Sequence, residues 1–126
     1  MKRVVITGLG ALTPIGNTID TFWNNSINGV SGAGLITRFN AEKFKTRLAC
    51  EVRDFKPETY LTHNEIKRSD LFTQYALYTA AQAMEDSGLD VAKMDPFDIG
   101  VIWGVGQGGM ETFENEVRDF TLGDGT

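Results

Sequence analysis

Asp98-Ile-Gly-Val-Ile-Trp-Gly104-Val-Gly-Gln-Gly-Gly109-Met-Glu-Thr-Phe-Glu-Asn-Glu-Val-Arg-Asp-Phe120 sets out a strand, a glycine turn and a helix in succession. The apolar run Ile99 to Trp103 carries too little polar alternation for a half-solvated strand, which predicts a parallel strand covered on both faces by helices. Gly104, Gly106, Gly108 and Gly109 allow close backbone approach at the carboxyl end of that strand, where α/β folds place ligands. Beyond them Met110, Phe113, Val117 and Phe120 recur at helical spacing, with Glu111, Glu114, Glu116, Arg118 and Asp119 mostly elsewhere, so this helix is expected to bury one side. Taken literally, Gly104-x-Gly106-x-x-Gly109 is a dinucleotide-binding pattern. It lacks the following strand and the acidic residue about 20 positions on that would hold a ribose, and the plainer reading is a tight turn packing helix on sheet.

Bulk properties narrow the class. A chain of 126 residues, 41% hydrophobic and 23% charged, fits one α/β domain with a modest core, taken as residues 1–126. The net charge of -5 argues against a general nucleic-acid binder. Cys50 is the single cysteine, so no intrachain disulfide is expected. No stretch approaches membrane-spanning length, and the apolar run after Met1-Lys2-Arg3 is too short for a signal-peptide core. A cytoplasmic location follows as the default. Neither a Ser-His-Asp set, a carboxylate pair, a metal-ligand cluster nor a Walker loop can be assembled, so no metal, cofactor or catalytic residue is assigned.

Along the chain, Lys2 to Thr7 predicts a second apolar strand. It runs into Gly8-Leu-Gly10-Ala-Leu-Thr13-Pro-Ile-Gly16, where Thr13 stands in place of a third glycine and makes a poor cofactor motif. Thr18 caps a helix bearing Ile19, Phe22, Trp23 and Ile27, stopped by Gly29, whose aromatic face is expected on the sheet. Thr46 to Val52 alternates, with Leu48, Cys50 and Val52 expected inward, so that Cys50 acts as a small core hydrophobe rather than a nucleophile. Thr62-His63-Asn-Glu65 is a capping box, with His63 a surface residue of the cap. Lys67 and Arg68 are adjacent cations on an acidic chain, either a solvated pair or a docking point for an acidic partner. Asp70 to Ser87, closed by Gly88, is apolar nearly all round, and polar groups remain chiefly at Thr73, Gln74, Thr79 and Gln82. Such a helix is expected to be buried nearly all round. The rest of the chain offers too little to cover it, which predicts either a second subunit or an α/β unit of a larger protein.

The order of these blocks resembles the β-ketoacyl-acyl-carrier-protein synthases, the elongating condensing enzymes of fatty-acid synthesis, and within them the type II enzymes. The blocks are Lys2 to Gly16, Phe39-Asn-Ala-Glu-Lys-Phe44, Ala49-Cys-Glu-Val52, Lys67-Arg-Ser-Asp70 with Gln74-Tyr-Ala76, and Gly104-Val-Gly-Gln-Gly-Gly109. The resemblance implies a thiolase-like fold, layered α-β-α-β-α in the complete enzyme, of which this chain is most of the first half, in a homodimer. It implies acyl transfer to an active-site cysteine, decarboxylation of malonyl-acyl-carrier protein, and attack of the resulting carbanion on the acyl thioester. The nucleophile and histidines of the family match no residue here, so the chain alone is expected to be inactive.

Two site assignments follow from the resemblance. Gln107, with Gly106 and Gly108, occupies the loop that lines the acyl pocket, where relatives usually place an aliphatic residue. Lys67 and Arg68 match the basic patch that meets the acyl-carrier protein, acyl- and malonyl-loaded carriers being the substrates. Competing readings are a polyketide-pathway relative, a nucleotide-binding module using Gly104 to Gly109, and a non-catalytic interaction fragment dimerising through Leu71 to Met84.

Overall fold

Local capping chemistry defines the helices. In the structure, a computed structural model describing residues 3–123, the Thr18 hydroxyl accepts the Thr21 N–H at 3.2 Å and starts α1, Ile19–Ile27. The Thr62 hydroxyl and the Glu65 carboxylate form the reciprocal box that starts α2, His63–Arg68. The other α-helices among the described residues are α3, Leu71–Ser87, and α4, Met110–Leu122. Gly29 and Gly88, both at positive φ, follow α1 and α3 as predicted.

The sheet is smaller than the sequence predicts. Strands β1, Ala33–Leu35, and β2, Leu48–Cys50, pair antiparallel with Gly34 opposite Ala49. The predicted parallel strands do not form: residues 3–7 and Ile99–Trp103 join no ladder, and Lys2 lies outside the described residues. A parallel strand exists only through neighbours that take up its backbone groups. Among the described residues no strand pairs with these segments, and Val4 and Ile102 stand 92% and 99% exposed.

The chain divides into two compact units, Met1–Lys56 with Tyr78–Leu89, and Pro57–Leu77 with Asp90–Thr126. In the first, the N-terminal segment lies on the second half of α3. A Cβ on Gly8 would stand 2.7 Å from the Ser87 nitrogen, and one on Gly10 would collide with the Thr79 carbonyl. Glycine at these positions therefore serves backbone-to-helix packing, not a phosphate. Leu9 N–H donates to Asp86 at 2.8 Å, Ala11 N–H to Gln82 Oε1 at 2.8 Å, and Gln82 Nε2 to the Asn17 carbonyl at 2.6 Å. Ala11 and Tyr78 are the buried apolar residues of this unit, with Phe55 edge-on to Tyr78.

The expectation for α3 is thereby corrected. Its most buried polar groups are Gln74 and Gln82, whereas Leu77 and Ala80 are exposed. Helical periodicity counts apolar side chains, but burial here follows the hydrogen bonds that irregular segments need from a helix. Replacing Gln82 by leucine should destabilise by about 1–3 kcal/mol, because it leaves the buried Ala11 N–H and the Asn17 carbonyl without partners. A Gln82→Glu variant, which keeps the acceptor but loses the donor, should fall between the two. Equal denaturation midpoints for wild type and Gln82→Leu would refute this.

Burial elsewhere is also less than expected. Trp23 and Ile27 on α1 are exposed, as is the whole seam Met110, Phe113, Val117 and Phe120 of α4. In β2 the alternation is the reverse of the prediction: Ala49 is half-buried, while Leu48 and Cys50 are exposed. The reason lies in the hairpin, where the Arg53 guanidinium covers Gly34 while Leu35 and Leu48 on the opposite face are exposed. The chain exposes 10486 Å², against roughly 6,700 Å² for a folded monomer of this mass.

Candidate functional site

Both groups of sequence-predicted site residues fall in the second unit, on α2 and on the loop preceding α4. Leu61, buried, anchors the segment entering α2. There Thr62 N–H and the Thr62 hydroxyl donate to Glu65 Oε2 at 2.7 and 2.8 Å. These bonds, the backbone one first, hold the Glu65 carboxyl below the usual carboxylate range.

Lys67 and Arg68 form the last turn of this helix, both exposed. No carboxylate among the described residues pairs with either. The turn that carries them is fixed from below, because the buried Gln74 amide donates to the Ile66 and Ser69 carbonyls at 3.1 and 2.9 Å. Those are end-of-helix acceptors that would otherwise need water. Arg68 also borders a shallow groove of about 340 Å³ with Asn64, Glu65, Ser69 and Leu77. The arrangement presents two unpaired cations on a short, rigidly ended helix.

The glycine loop is held at one end only. Gly108 has φ of 68° and faces Phe72 of α3. Gly109 is the N-cap of α4 and brings no side chain to cap it. Instead Asp70, from the junction of α2 and α3, places its carboxylate against Gly109 and accepts the Thr112 hydroxyl. Gly104 and Gly106 have open space around them, and Gln107 is exposed. Thus the structure brings the loop to Asp70 and Phe72, just after Lys67 and Arg68 in the chain. Sequence reasoning missed Asp70 and Gln74 as organisers; their only signal was membership of the blocks that carry the family resemblance.

Cys50 and His63 remain outside any site. The Cys50 thiol is free and exposed at the end of β2, and His63 is exposed in the first turn of α2. Among the described residues no three His, Cys, Asp or Glu side chains group as metal ligands do, and no helix is long and apolar enough to cross a membrane.

Comparison with known proteins agrees along nearly the whole chain. Residues 1–122 match the model of the beta-ketoacyl synthase N-terminal domain. The chain is 48% identical over 113 residues to 3-oxoacyl-[acyl-carrier-protein] synthase 2 of Staphylococcus aureus, spanning 90% of this chain and 27% of that protein. Among solved structures it superposes on the ishigamide ketosynthase/chain length factor with a TM-score of 0.79 at 30% identity, over 96% of this chain and 30% of the other. It also superposes on a type II polyketide ketosynthase, AntDE, determined with its acyl-carrier protein AntF, with a TM-score of 0.77 at 27% identity, over 99% and 32%.

Proposed function

We propose a function from one premise: the chain belongs to the β-ketoacyl synthase family, whose N-terminal domain it matches over residues 1–122. Its fold is the N-terminal portion of the thiolase-like α/β fold of those enzymes. The short ladder and exposed apolar faces described above belong to that portion taken by itself.

The protein carrying this chain is a condensing enzyme of fatty-acid elongation. It joins malonyl-acyl-carrier protein, with loss of carbon dioxide, to an acyl chain held on a cysteine. The single observation carrying this reading is the 48% identity to a 3-oxoacyl-carrier-protein synthase across 90% of the chain. Lys67 and Arg68 fit the part of the carrier-protein dock, for they are unpaired cations on an acidic chain. Gln107, with Gly106 and Gly108, fits the acyl-binding loop. The exposed seam of α4 and the apolar flank of α3 fit packing by further chain and by a second copy in a homodimer, and the setting is the cytoplasm. No cofactor enters this chemistry.

A nucleophilic cysteine needs a setting that favours its thiolate, such as a helix N-terminus, and Cys50 sits in a hairpin strand. We therefore assign the nucleophile and the oxyanion-stabilising groups to other parts of the protein. The nucleotide-binding alternative is weakened by Asp70. Its carboxylate occupies the N-terminus of α4, where a phosphate would have to sit.

The test is to incubate the full-length protein with acyl- and malonyl-carrier protein and to look for the 3-oxoacyl product by mass spectrometry. Product from the full-length protein and none from residues 1–126 is expected. No product from either would sink the reading. Within it, an amide at 107 in place of an aliphatic side chain should disfavour the chain end of longer acyl groups, since burying an unpartnered amide against methylenes costs about 1–3 kcal/mol. Gln107→Ile should then raise kcat/KM for long acyl chains roughly tenfold relative to short ones. An unchanged ratio would remove Gln107 from the acyl pocket.

A further inference from the structure

We infer that Asp70 is the positioning residue of the glycine loop, its carboxylate holding Gly109 and the first turn of α4 and so fixing where Gln107 stands. The inference rests on the reading of Gly104 to Gly109 as the acyl-binding loop, and it adds the group that holds that loop.

Three observations and the helix dipole converge on Asp70. Gly109 caps α4 without a side chain, so the first N–H groups of a 13-residue helix receive no side-chain cap from their own segment. The carboxylate that stands there comes from 42 residues earlier in the chain and takes the Thr112 hydroxyl. A negative group at that end of a helix is favoured by the aligned peptide dipoles. A Cβ at 109 would meet the same carboxylate, so any larger residue there would push Asp70 aside.

Asp70 is in turn well anchored. Its carbonyl accepts the Thr73 and Gln74 N–H groups at 3.0 Å each, and the Gln74 amide holds the Ile66 and Ser69 carbonyls just upstream. The loop, by contrast, has few restraints of its own. Its backbone is tied by Met110 N–H to the Gly108 carbonyl at 3.1 Å and by Phe113 N–H to the Gly109 carbonyl at 3.0 Å. Gln107 lies two residues before the glycine that Asp70 holds. A shift of that anchor moves the amide directly, while Lys67 and Arg68 on the other side of Asp70 keep their own support from Gln74.

The experiment compares Asp70→Asn, which keeps shape and removes charge, Thr112→Val, which removes the donor, and Thr112→Ser, which restores it, all in the full-length protein. Hydrogen exchange of the segment 104–114 should quicken in Asp70→Asn and Thr112→Val and return to the wild-type rate in Thr112→Ser. Unchanged exchange in the first two would overturn the inference whatever the activity of the enzyme. In the condensation assay, the ratio of kcat/KM for long and short acyl carriers should shift between about tenfold and a hundredfold in the same two variants, because small misplacements of a positioning group have effects of that size. KM for malonyl-carrier protein should stay unchanged. A uniform loss at every chain length would reduce Asp70 to a general stabilising residue and overturn the positioning role. A wild-type protein without condensing activity would defeat the proposed function instead, and the exchange measurement would still decide the role of Asp70.

Discussion

Gly10→Val is expected to destabilise the full-length protein by about 3 kcal/mol or more, the upper part of the range for overpacking a close contact. The size follows from what the new side chain meets. Beyond the colliding Thr79 carbonyl oxygen, the added Cβ would stand 3.0 Å from the Thr79 carbonyl carbon and 3.2 Å from the Ala83 nitrogen. All three are backbone atoms inside α3, which cannot rotate aside as a side chain could. Relief must come from the N-terminal segment lifting off the helix. That movement also breaks the bonds from Leu9 N–H to Asp86 and from Ala11 N–H to Gln82, and uncovers Ala11. Because Gly10 and Gln82 act on the same seated segment, Gly10→Val combined with Gln82→Leu should cost less than the two changes added together. Urea denaturation reports this as a lowered midpoint at constant slope. A midpoint within experimental error of wild type would show that the segment is not seated on α3, and strict additivity would show that the two contacts are independent.

The same contrast between local and distant partners explains what could be read from the sequence. Thr18, the Thr62–Glu65 box, Gly29 and Gly88 were legible because a helix cap is completed within three or four residues of chain. The predicted strands at residues 2–7 and Ile99–Trp103 could not be settled in that way, since their hydrogen bonds depend on neighbours that no local pattern names. Alternation in β2 showed that two faces differ, but Arg53, distant from Gly34 in sequence, decided which face was covered and put Cys50 outside. Periodicity puts Gln74 and Gln82 on the polar side of α3; each is buried because it satisfies carbonyls or N–H groups of another segment. For the candidate site, Lys67 and Arg68 are legible as adjacent exposed cations, whereas Asp70 becomes an organiser only through its contacts with Gly109 and with Thr112, the latter 42 residues along the chain. The role of Gln107 came from family resemblance, and its test is kinetic.

Lys67→Glu combined with Arg68→Glu should raise KM for carrier-bound substrates roughly tenfold or more at low salt, with kcat little changed and a small-molecule thioester turned over as before. Reversing two exposed cations replaces attraction for an acidic partner by repulsion. Charges at the rim of an interface act mainly on the association rate, so the effect belongs in KM for the carrier and not in the chemical step. It should also shrink as salt is added, because the Debye length falls from about 10 Å at 0.1 M to about 3 Å at 1 M. The fold should survive the change. Neither cation has a carboxylate partner among the described residues, and the turn beneath them is held by Gln74 acting on backbone carbonyls, which the substitution leaves in place. One local cost is foreseeable: acidic groups at the C-terminal end of a helix oppose its dipole, by about 0.3–1 kcal/mol each. Lys67→Gln with Arg68→Gln is therefore the control, expected to keep that stability and show a smaller rise in KM with the same salt dependence. Equal loss on carrier-bound and small thioesters, or a rise in KM that salt does not reduce, would mean that these residues do not meet the carrier. The two cations would then be a solvated pair on an acidic surface.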